Sequence, residues 1–167
     1  MKKFLYIFCL FFLWGCGYQL VGKETHLPPG VTSVAIPTFI NQTYEPGIET
    51  PLTQAFLREF IQDRRVKVVD RKEADSILEG IIKSFYILSV SYDKSGYALE
   101  YQTTVVMDIT LKKRNGEVLW KEKDLIEKEW YRTNPSVIAT EDNKVNAIQQ
   151  TARSLAERIR NRFFYNF

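Results

Sequence analysis

Leu99 to Leu111 is the stretch that most restricts the fold, because apolar and polar side chains alternate along it. Successive side chains of a β-strand point to opposite faces of a sheet, so this alternation indicates a strand with one face on a core and one in water. The side chains expected on the core face are Leu99, Tyr101, Thr103, Val105, Met107, Ile109 and Leu111. Those expected on the opposite face are Glu100, Gln102, Thr104, Asp108, Thr110 and Lys112.

A second long strand is predicted before this one, over Ser76–Tyr92, and Asp93–Gly96 has the composition of a turn between the two. The residues of this strand that are expected on one face are Leu78, Ile82, Tyr86, Leu88 and Val90. Two shorter strands are expected at Val31–Phe39, where Val34 and Ile36 would face inward, and at Val66–Val69.

Asn115-Gly116 is the strongest hairpin signal in the chain and predicts a further strand from Val118 to about Trp130. Its alternation loses phase between Trp120 and Leu125. An extra residue inserted into one strand of a pair has this effect, so we predict a β-bulge there.

Two helices are predicted from apolar residues that recur every three or four positions. The first has Thr50 as its cap and Pro51 at the first helical position, and its stripe is Leu52, Ala55, Phe56 and Phe60, widened by Leu57 and Ile61. The second runs from about Thr140, and its stripe is Val145, Ile148, Ala152, Leu155, Ile159 and Phe163. Glu141 and Asp142 would lie in its first turn. Its last turn would contain Arg158, Arg160 and Arg162 on a solvated face.

This order, β-α-β-β-β-β-α, predicts an α+β fold. Two helices would pack on one face of a mixed sheet of four to five strands. The length from residue 31 to residue 167 fits a single domain.

The N-terminus has the features of a secretory signal. Lys2 and Lys3 precede the apolar run Phe4–Trp14, which as a helix would be about 16 Å long. The hydrocarbon core of a bilayer is about 30 Å thick, so the run is too short to cross it. Leu13-Trp14-Gly15-Cys16 resembles the lipobox of bacterial lipoproteins, in which the cysteine receives lipid and the preceding segment is removed.

These features predict a signal peptide at residues 1–15, a lipidated N-terminus and tether at residues 16–30, and lipid attachment at Cys16. Several acyl chains on one cysteine would make release from a membrane negligible. An inner-membrane retention signal would have Asp after the cysteine, whereas this chain has Gly17, so the resemblance implies the outer membrane. The domain would then face the periplasm.

The remaining chain has few groups that could carry out catalysis. Without Lys2 and Lys3 it keeps 21 of its 23 basic residues against 20 acidic ones, so it lacks the basic excess of a nucleic-acid-binding protein. Its one histidine, His26, lies in the tether, and Cys9 would be removed with the signal. No HExxH, paired CxxC, EF-hand or glycine-rich phosphate loop is present. The sequence therefore predicts a non-enzymatic protein without a metal site or cofactor.

One series of segments runs through the chain in a fixed order: Cys16–Leu20, Val34–Phe39, Asn41–Glu49, Ala74-Asp75 with Leu78-Glu79-Gly80, Glu100-Tyr101 and Asn134-Pro135. Together these segments resemble the LPS-assembly lipoprotein family, the small outer-membrane partners of the β-barrel that inserts lipopolysaccharide. The resemblance implies a lipidated plug within the lumen of that barrel, which assists its assembly and binds lipopolysaccharide. The hydrophilic face from Gln102 to Lys112 would suit the polar interior of such a barrel.

The resemblance also implies a lipopolysaccharide contact at Lys94, since the family carries a basic residue in the turn before the Glu-Tyr strand. A second basic position of the family precedes an Asp-Asn pair, but here Glu141 precedes Asp142-Asn143. Lys112, Lys113 and Arg114 are candidates to replace it. Two other functions stay open from the sequence: a lipoprotein activator of a peptidoglycan synthase, and a hydrolase with an unrecognised site.

Overall fold

The computed structural model describes residue 27 and residues 30–165; the predicted signal peptide and Cys16 lie outside them. This part of the chain forms six strands and two helices. In chain order they are β1 (Ser33–Ala35), β2 (Ile40–Asn41), α1 (Glu49–Asp63), β3 (Lys67–Val68), β4 (Ser76–Tyr92), β5 (Ala98–Lys113), β6 (Val118–Arg132) and α2 (Val137–Tyr165).

All six strands belong to one mixed sheet in the order β3-β1-β4-β5-β6, with β2 also paired to β4. β1 is parallel to β3 and β4, whereas β4, β5 and β6 form two antiparallel hairpins. The predicted α+β class is confirmed, with one more strand than expected. The extra strand is β2, which follows the expected strand Val31–Phe39. That strand is shorter than expected and ends at Ala35, before Pro37, which has no backbone N–H for a sheet hydrogen bond.

The long hairpins have two ends, each named after a residue in its turn. The Lys94 end holds the β4–β5 turn and the start of α2, and the Asn115 end holds the β5–β6 turn and the start of β4. Gly116 has φ 91°, which a glycine adopts without steric cost, so the Asn-Gly hairpin prediction is confirmed.

Both helices pack on one face of the sheet, as predicted. The fully buried side chains of this core include Leu52, Phe56 and Phe60 of α1, Leu155, Ile159 and Phe163 of α2, and Leu78, Ile82, Val105, Met107, Ile109 and Leu111 of the sheet. Phe60 and Phe163 join the two helices edge to face, with ring centroids 5.2 Å apart. Burying side chains of this size is worth about 1.5–3 kcal/mol each, so this layer carries most of the stability.

A bulge at Lys83 reverses the two faces of β4. Ile82 lies opposite Met107 on the core side, but beyond the register shift Phe85 lies opposite Val105 on that side. Tyr86 and Leu88 therefore point away from the helices. The prediction that Tyr86, Leu88 and Val90 share a face with Leu78 and Ile82 was wrong, because one extra residue shifts every later side chain to the other face.

The predicted bulge in β6 is confirmed. The register shifts between the pairs Met107–Leu125 and Ile109–Glu122, and Asp124 takes the left-handed conformation with φ 54°. Leu125 thereby returns to the core side, where it is buried.

The helix ends differ from the sequence predictions. α1 begins at Glu49, with Ile48 at the N-cap position and no side-chain cap, so Thr50 lies inside the first turn. Ile61 does not widen the buried stripe, since its side chain is exposed. α2 begins at Val137, one turn earlier than expected, so its first turn contains no acidic residue and Glu141 and Asp142 lie further along.

The three arginines near the end of α2 do not form a freely solvated face. Arg158 binds Glu127 at 2.9 Å, and Arg160 and Arg162 bind Glu59 and Glu122. Two of these acidic partners lie on β6 and one on α1. The arginines therefore attach α2 to both neighbouring elements, and only Arg162 lies in the last turn.

Candidate functional site

The side of β4, β5 and β6 that faces away from both helices is called here the open face. No described residue of either helix packs on it, because α1 and α2 lie together on the opposite side. This one-sided coverage agrees with the alternation in Leu99–Leu111. Any surface that this sheet offers to a partner must lie on the open face or around its ends.

Toward the Asn115 end, the open face is covered by ion pairs. Lys112 binds Glu79 at 2.6 Å, and Arg71 approaches the other oxygen of that carboxylate at 3.6 Å. Further along, Lys83 lies between Asp108, at 3.2 Å, and Asp124. This half of the open face is hydrophilic, and most of its charged side chains are paired within the sheet.

The ion pairs of Lys83 with Asp108 and Asp124 join the bulge in β4 to the bulge in β6. Asp108 accepts a hydrogen bond of 2.8 Å from the backbone N–H of Asp124, the residue with positive φ. Partial burial raises the pKa of Asp108, but the hydrogen bonds from Asp124 and Lys83 outweigh it and the pKa is lowered overall. The same carboxylates raise the pKa of Lys83. The charged forms of these groups therefore fix the register of three strands.

Toward the Lys94 end, the open face carries large exposed apolar side chains. Tyr86 and Leu88 of β4 stand on one side, and Ile126 and Trp130 of β6 on the other, with 43%, 55%, 49% and 51% of their surfaces exposed. Between these two pairs, β5 contributes the less exposed residues Gln102, Thr104 and Val106. They form the floor of the arrangement and lie next to the wall residues in the strand register. We call this arrangement the apolar furrow.

Thr104 forms the centre of the floor of the furrow. Although it points away from the core, its side chain is completely buried, between the strands that carry Tyr86 and Lys128. Its hydroxyl has no hydrogen-bond partner among the described residues. The neighbouring side chains therefore exclude water from Thr104, whereas Gln102 and Val106 stay half-buried, so the furrow is shallow.

Lys94 lies in the turn that closes β4 and β5, where its side chain is exposed and makes no ion pair with another described residue. Asp93 builds this turn by accepting hydrogen bonds from the backbone N–H groups of Ser95, at 2.8 Å, and Tyr97, at 2.9 Å. The exposed rings of Tyr92 and Tyr97 are near neighbours in the chain. The turn therefore presents one unpaired cation beside aromatic surface.

A lysine lies beside the Asp142-Asn143 pair, where the resemblance led us to look for a second basic residue. Lys144 follows the Asp142-Asn143 pair that Glu141 precedes, and its ammonium binds Glu45 at 2.8 Å and Glu141 at 3.5 Å. The hydrogen bond that Lys144 donates to Glu45 raises the pKa of Lys144 despite its partial burial. Because two carboxylates hold this lysine, it is not free to bind an anion.

The proposed substitutes beside the hairpin are also occupied. Lys112 binds Glu79, Lys113 binds Glu117 at 2.9 Å, and the Arg114 guanidinium donates to the carbonyl of Ala74. They lie at the Asn115 end, whereas Lys94 lies at the opposite end of the hairpin. The structure does not bring them together with Lys94.

The sequence pattern did not reveal the apolar furrow. The signal was present as the apolar residues Tyr86, Leu88, Ile126 and Trp130, but an uninterrupted alternation assigns the first two to the core. Only the bulge at Lys83, which the sequence pattern did not reveal, moves them to the open face beside Ile126 and Trp130.

Two further observations concern the parts of the chain that the structure describes. None of their helices combines the length and apolar content needed to cross a bilayer. Within the same residues, no three His, Cys, Asp or Glu side chains are grouped so that they could hold a metal ion. Cys16 and His26 lie outside this part of the chain.

Solved structures of bacterial lipoproteins share this fold. A minor lipoprotein from Acinetobacter baumannii is 11% identical, with a TM-score of 0.55, and the match covers 81% of this chain and 93% of that chain. Rare lipoprotein B from Shewanella oneidensis is 20% identical, with a TM-score of 0.50, and the match covers 72% and 89%. No curated protein matches the chain significantly.

The family model described as "LptE: Lipopolysaccharide-assembly" matches residues 31–163. This span is most of the chain and coincides with the described domain. The chain therefore belongs to the lipopolysaccharide-assembly family LptE.

Proposed function

We propose that this protein is an outer-membrane lipoprotein that plugs the β-barrel which inserts lipopolysaccharide, and that it assists the assembly of that barrel. The observation that carries the proposal is the family match over residues 31–163. Lipid on Cys16 would hold the domain at the membrane, facing the periplasm or inside the barrel. Its role would be assembly and not catalysis.

The charged half of the open face gives the plug a physical basis. Large outer-membrane barrels have a polar interior, so a plug needs a surface that is hydrophilic but does not require bulk water. The ion pairs of Glu79 with Lys112, and of Lys83 with Asp108, satisfy their own charges within the sheet. Such a surface can approach a polar wall while these four charges stay paired.

We also propose that Lys94 contacts a phosphate of lipopolysaccharide. An ammonium group that has no carboxylate partner can form a charge-assisted hydrogen bond with a phosphate oxygen. Lys94 meets this condition, whereas Lys112, Lys113 and Lys144 are bound to carboxylates.

Depletion of the lipoprotein tests the assembly role. Folded outer-membrane barrels resist denaturation by detergent unless they are heated, so folded and unfolded forms separate on a gel. We expect the folded form of the lipopolysaccharide-inserting barrel to fall on depletion while an unrelated porin stays unchanged. An unchanged amount of folded barrel would refute the assembly role.

A further inference from the structure

A role as a plug does not by itself explain why the furrow exposes large apolar side chains. The four residues of its two walls, Tyr86, Leu88, Ile126 and Trp130, are exposed apolar side chains on one half of the open face. Contiguous apolar patches on soluble domains usually mark binding surfaces. The polar wall of a barrel lumen would cover this patch poorly, because polar groups would lose water without gaining partners.

The charges around the furrow restrict what can occupy it. Lys128 lies on β6 between Ile126 and Trp130, is exposed, and makes no ion pair with any described residue. The acidic residue of this half-face, Glu100, is already near Arg132 at 3.8 Å. The surface therefore combines apolar walls with an unpaired cation, and its complement is an apolar molecule that carries negative charge.

Two other occupants fit less well. A second copy of this chain, packed face to face, would bring Lys128 close to its own equivalent, and like charges in an interface are unfavourable. A protein wall that lines a polar lumen does not supply the apolar groups that would cover Tyr86 and Leu88. Acyl chains can follow a narrow furrow whose walls lie two strand spacings apart, about 10 Å.

We propose that the apolar furrow binds acyl chains of lipopolysaccharide and that Lys128 faces its phosphates. This proposal rests on the proposed function, because it takes lipopolysaccharide as the amphiphile that the protein meets. It assigns a surface separate from the turn that holds Lys94. The two lie on the same end of the sheet, so one large amphiphile can contact both.

Photocrosslinking in living cells tests the furrow with the full-length lipoprotein and native lipopolysaccharide. Leu88→p-benzoylphenylalanine and Trp130→p-benzoylphenylalanine place the reactive group on the two walls. The matched control is Val118→p-benzoylphenylalanine, because Val118 lies on the same strand as Trp130 at the Asn115 end and is 54% exposed. Adducts are detected with an antibody against lipid A.

We expect lipopolysaccharide adducts at positions 88 and 130 at yields several-fold above position 118. Lys128→Glu should lower these yields, while Lys123→Glu, at an exposed lysine of the same strand, should leave them unchanged. Equal yields at all three positions, adducts with the barrel at 88 and 130, or no lipopolysaccharide adduct there would each overturn the proposal. Purification of the barrel with the lipoprotein in the same cells tests the proposed function separately, so the two failures are distinguishable.

Discussion

At the scale of single residues, one carboxylate fastens the start of the domain. Asp75 accepts hydrogen bonds on Oδ2 from the backbone N–H and hydroxyl groups of both Thr32 and Ser33, at 2.8–3.1 Å. The hydroxyl of Thr32 contributes most and that of Ser33 next, and together these bonds lower the pKa of Asp75 to about 2. The chain that leaves the predicted tether is thereby attached to the beginning of β4.

Asp75 predicts a specific dependence of stability on pH. The pKa of Asp75 is lower in the folded protein than the usual value of about 3.9. The contribution of its carboxylate to the free energy of unfolding is therefore complete above pH 4 and is lost as the pH falls toward 2. We expect Asp75→Asn to lower the melting temperature at pH 7 and to flatten its fall between pH 4 and pH 2. Asp70→Asn, at an exposed neighbour, is the control. An equally steep fall in Asp75→Asn and wild type would contradict this explanation.

Lys94 yields a second prediction at this scale. Lys94→Asp should weaken binding of lipopolysaccharide to the purified lipoprotein by several-fold, because a phosphate contact becomes a repulsion, while the melting temperature stays unchanged. Lys72→Asp reverses the charge of another exposed turn lysine, near the Asn115 end, and should bind as wild type does. If both variants bind equally well, Lys94 does not contact the lipid.

At the scale of elements, the packing of Phe39 against β4 requires a glycine at position 80. A Cβ atom on Gly80 would lie 2.7 Å from two atoms of the Phe39 ring, closer than real contacts allow. Phe39 is itself buried and packs edge to face on Phe56, with ring centroids 4.9 Å apart. The close approach of Gly80 therefore positions Phe39 between β4 and α1.

Gly80→Ala should lower the free energy of unfolding by about 1–3 kcal/mol, the usual cost of overpacking a core. Denaturant unfolding measures the loss. The matched background is Phe39→Leu, in which the smaller side chain leaves room for the new methyl group. In the Phe39→Leu background, Gly80→Ala should lower the free energy of unfolding by less, because the effects of two residues in contact are not additive. An equal cost in both backgrounds would show that the ring is not what excludes a side chain.

The elements and the faces of β5 were largely predictable from the sequence, but the faces of β4 beyond Lys83 were not. The alternation of Leu99–Leu111 and the Asn115-Gly116 turn identified the central hairpin because both signals are local. The bulge at Lys83 depends on its contacts with Asp108 and Asp124, which are far away in the chain. A sequence pattern cannot contain that information. The apolar furrow was missed for the same reason.

At the scale of the whole molecule, the open face is divided between two kinds of surface. Its Asn115 half is largely covered by internal ion pairs, and its Lys94 half exposes apolar side chains with unpaired lysines nearby. The sequence predicted a uniformly hydrophilic face because it considered β5 alone, whereas β4 and β6 supply the apolar walls. Of the predicted site residues, Lys94 lies on the described surface as an exposed cation, and Cys16 lies outside the described residues.

Attachment through Cys16 gives a prediction for the whole protein. Cys16→Ala removes the thiol that would receive lipid, so the protein should disappear from the outer-membrane fraction. Fractionation followed by immunoblotting measures its location, and mass spectrometry of the wild-type protein checks for acyl groups and for removal of residues 1–15. Unchanged retention of Cys16→Ala in the outer membrane would argue against a lipid anchor.

Purification of the native lipoprotein from outer membranes tests whether the domain works as the partner of a lipopolysaccharide-inserting barrel. We predict that this barrel is recovered with the lipoprotein in equal molar amounts, as identified by mass spectrometry. Recovery of a penicillin-binding enzyme in place of the barrel would instead support an activator of peptidoglycan synthesis and contradict the account.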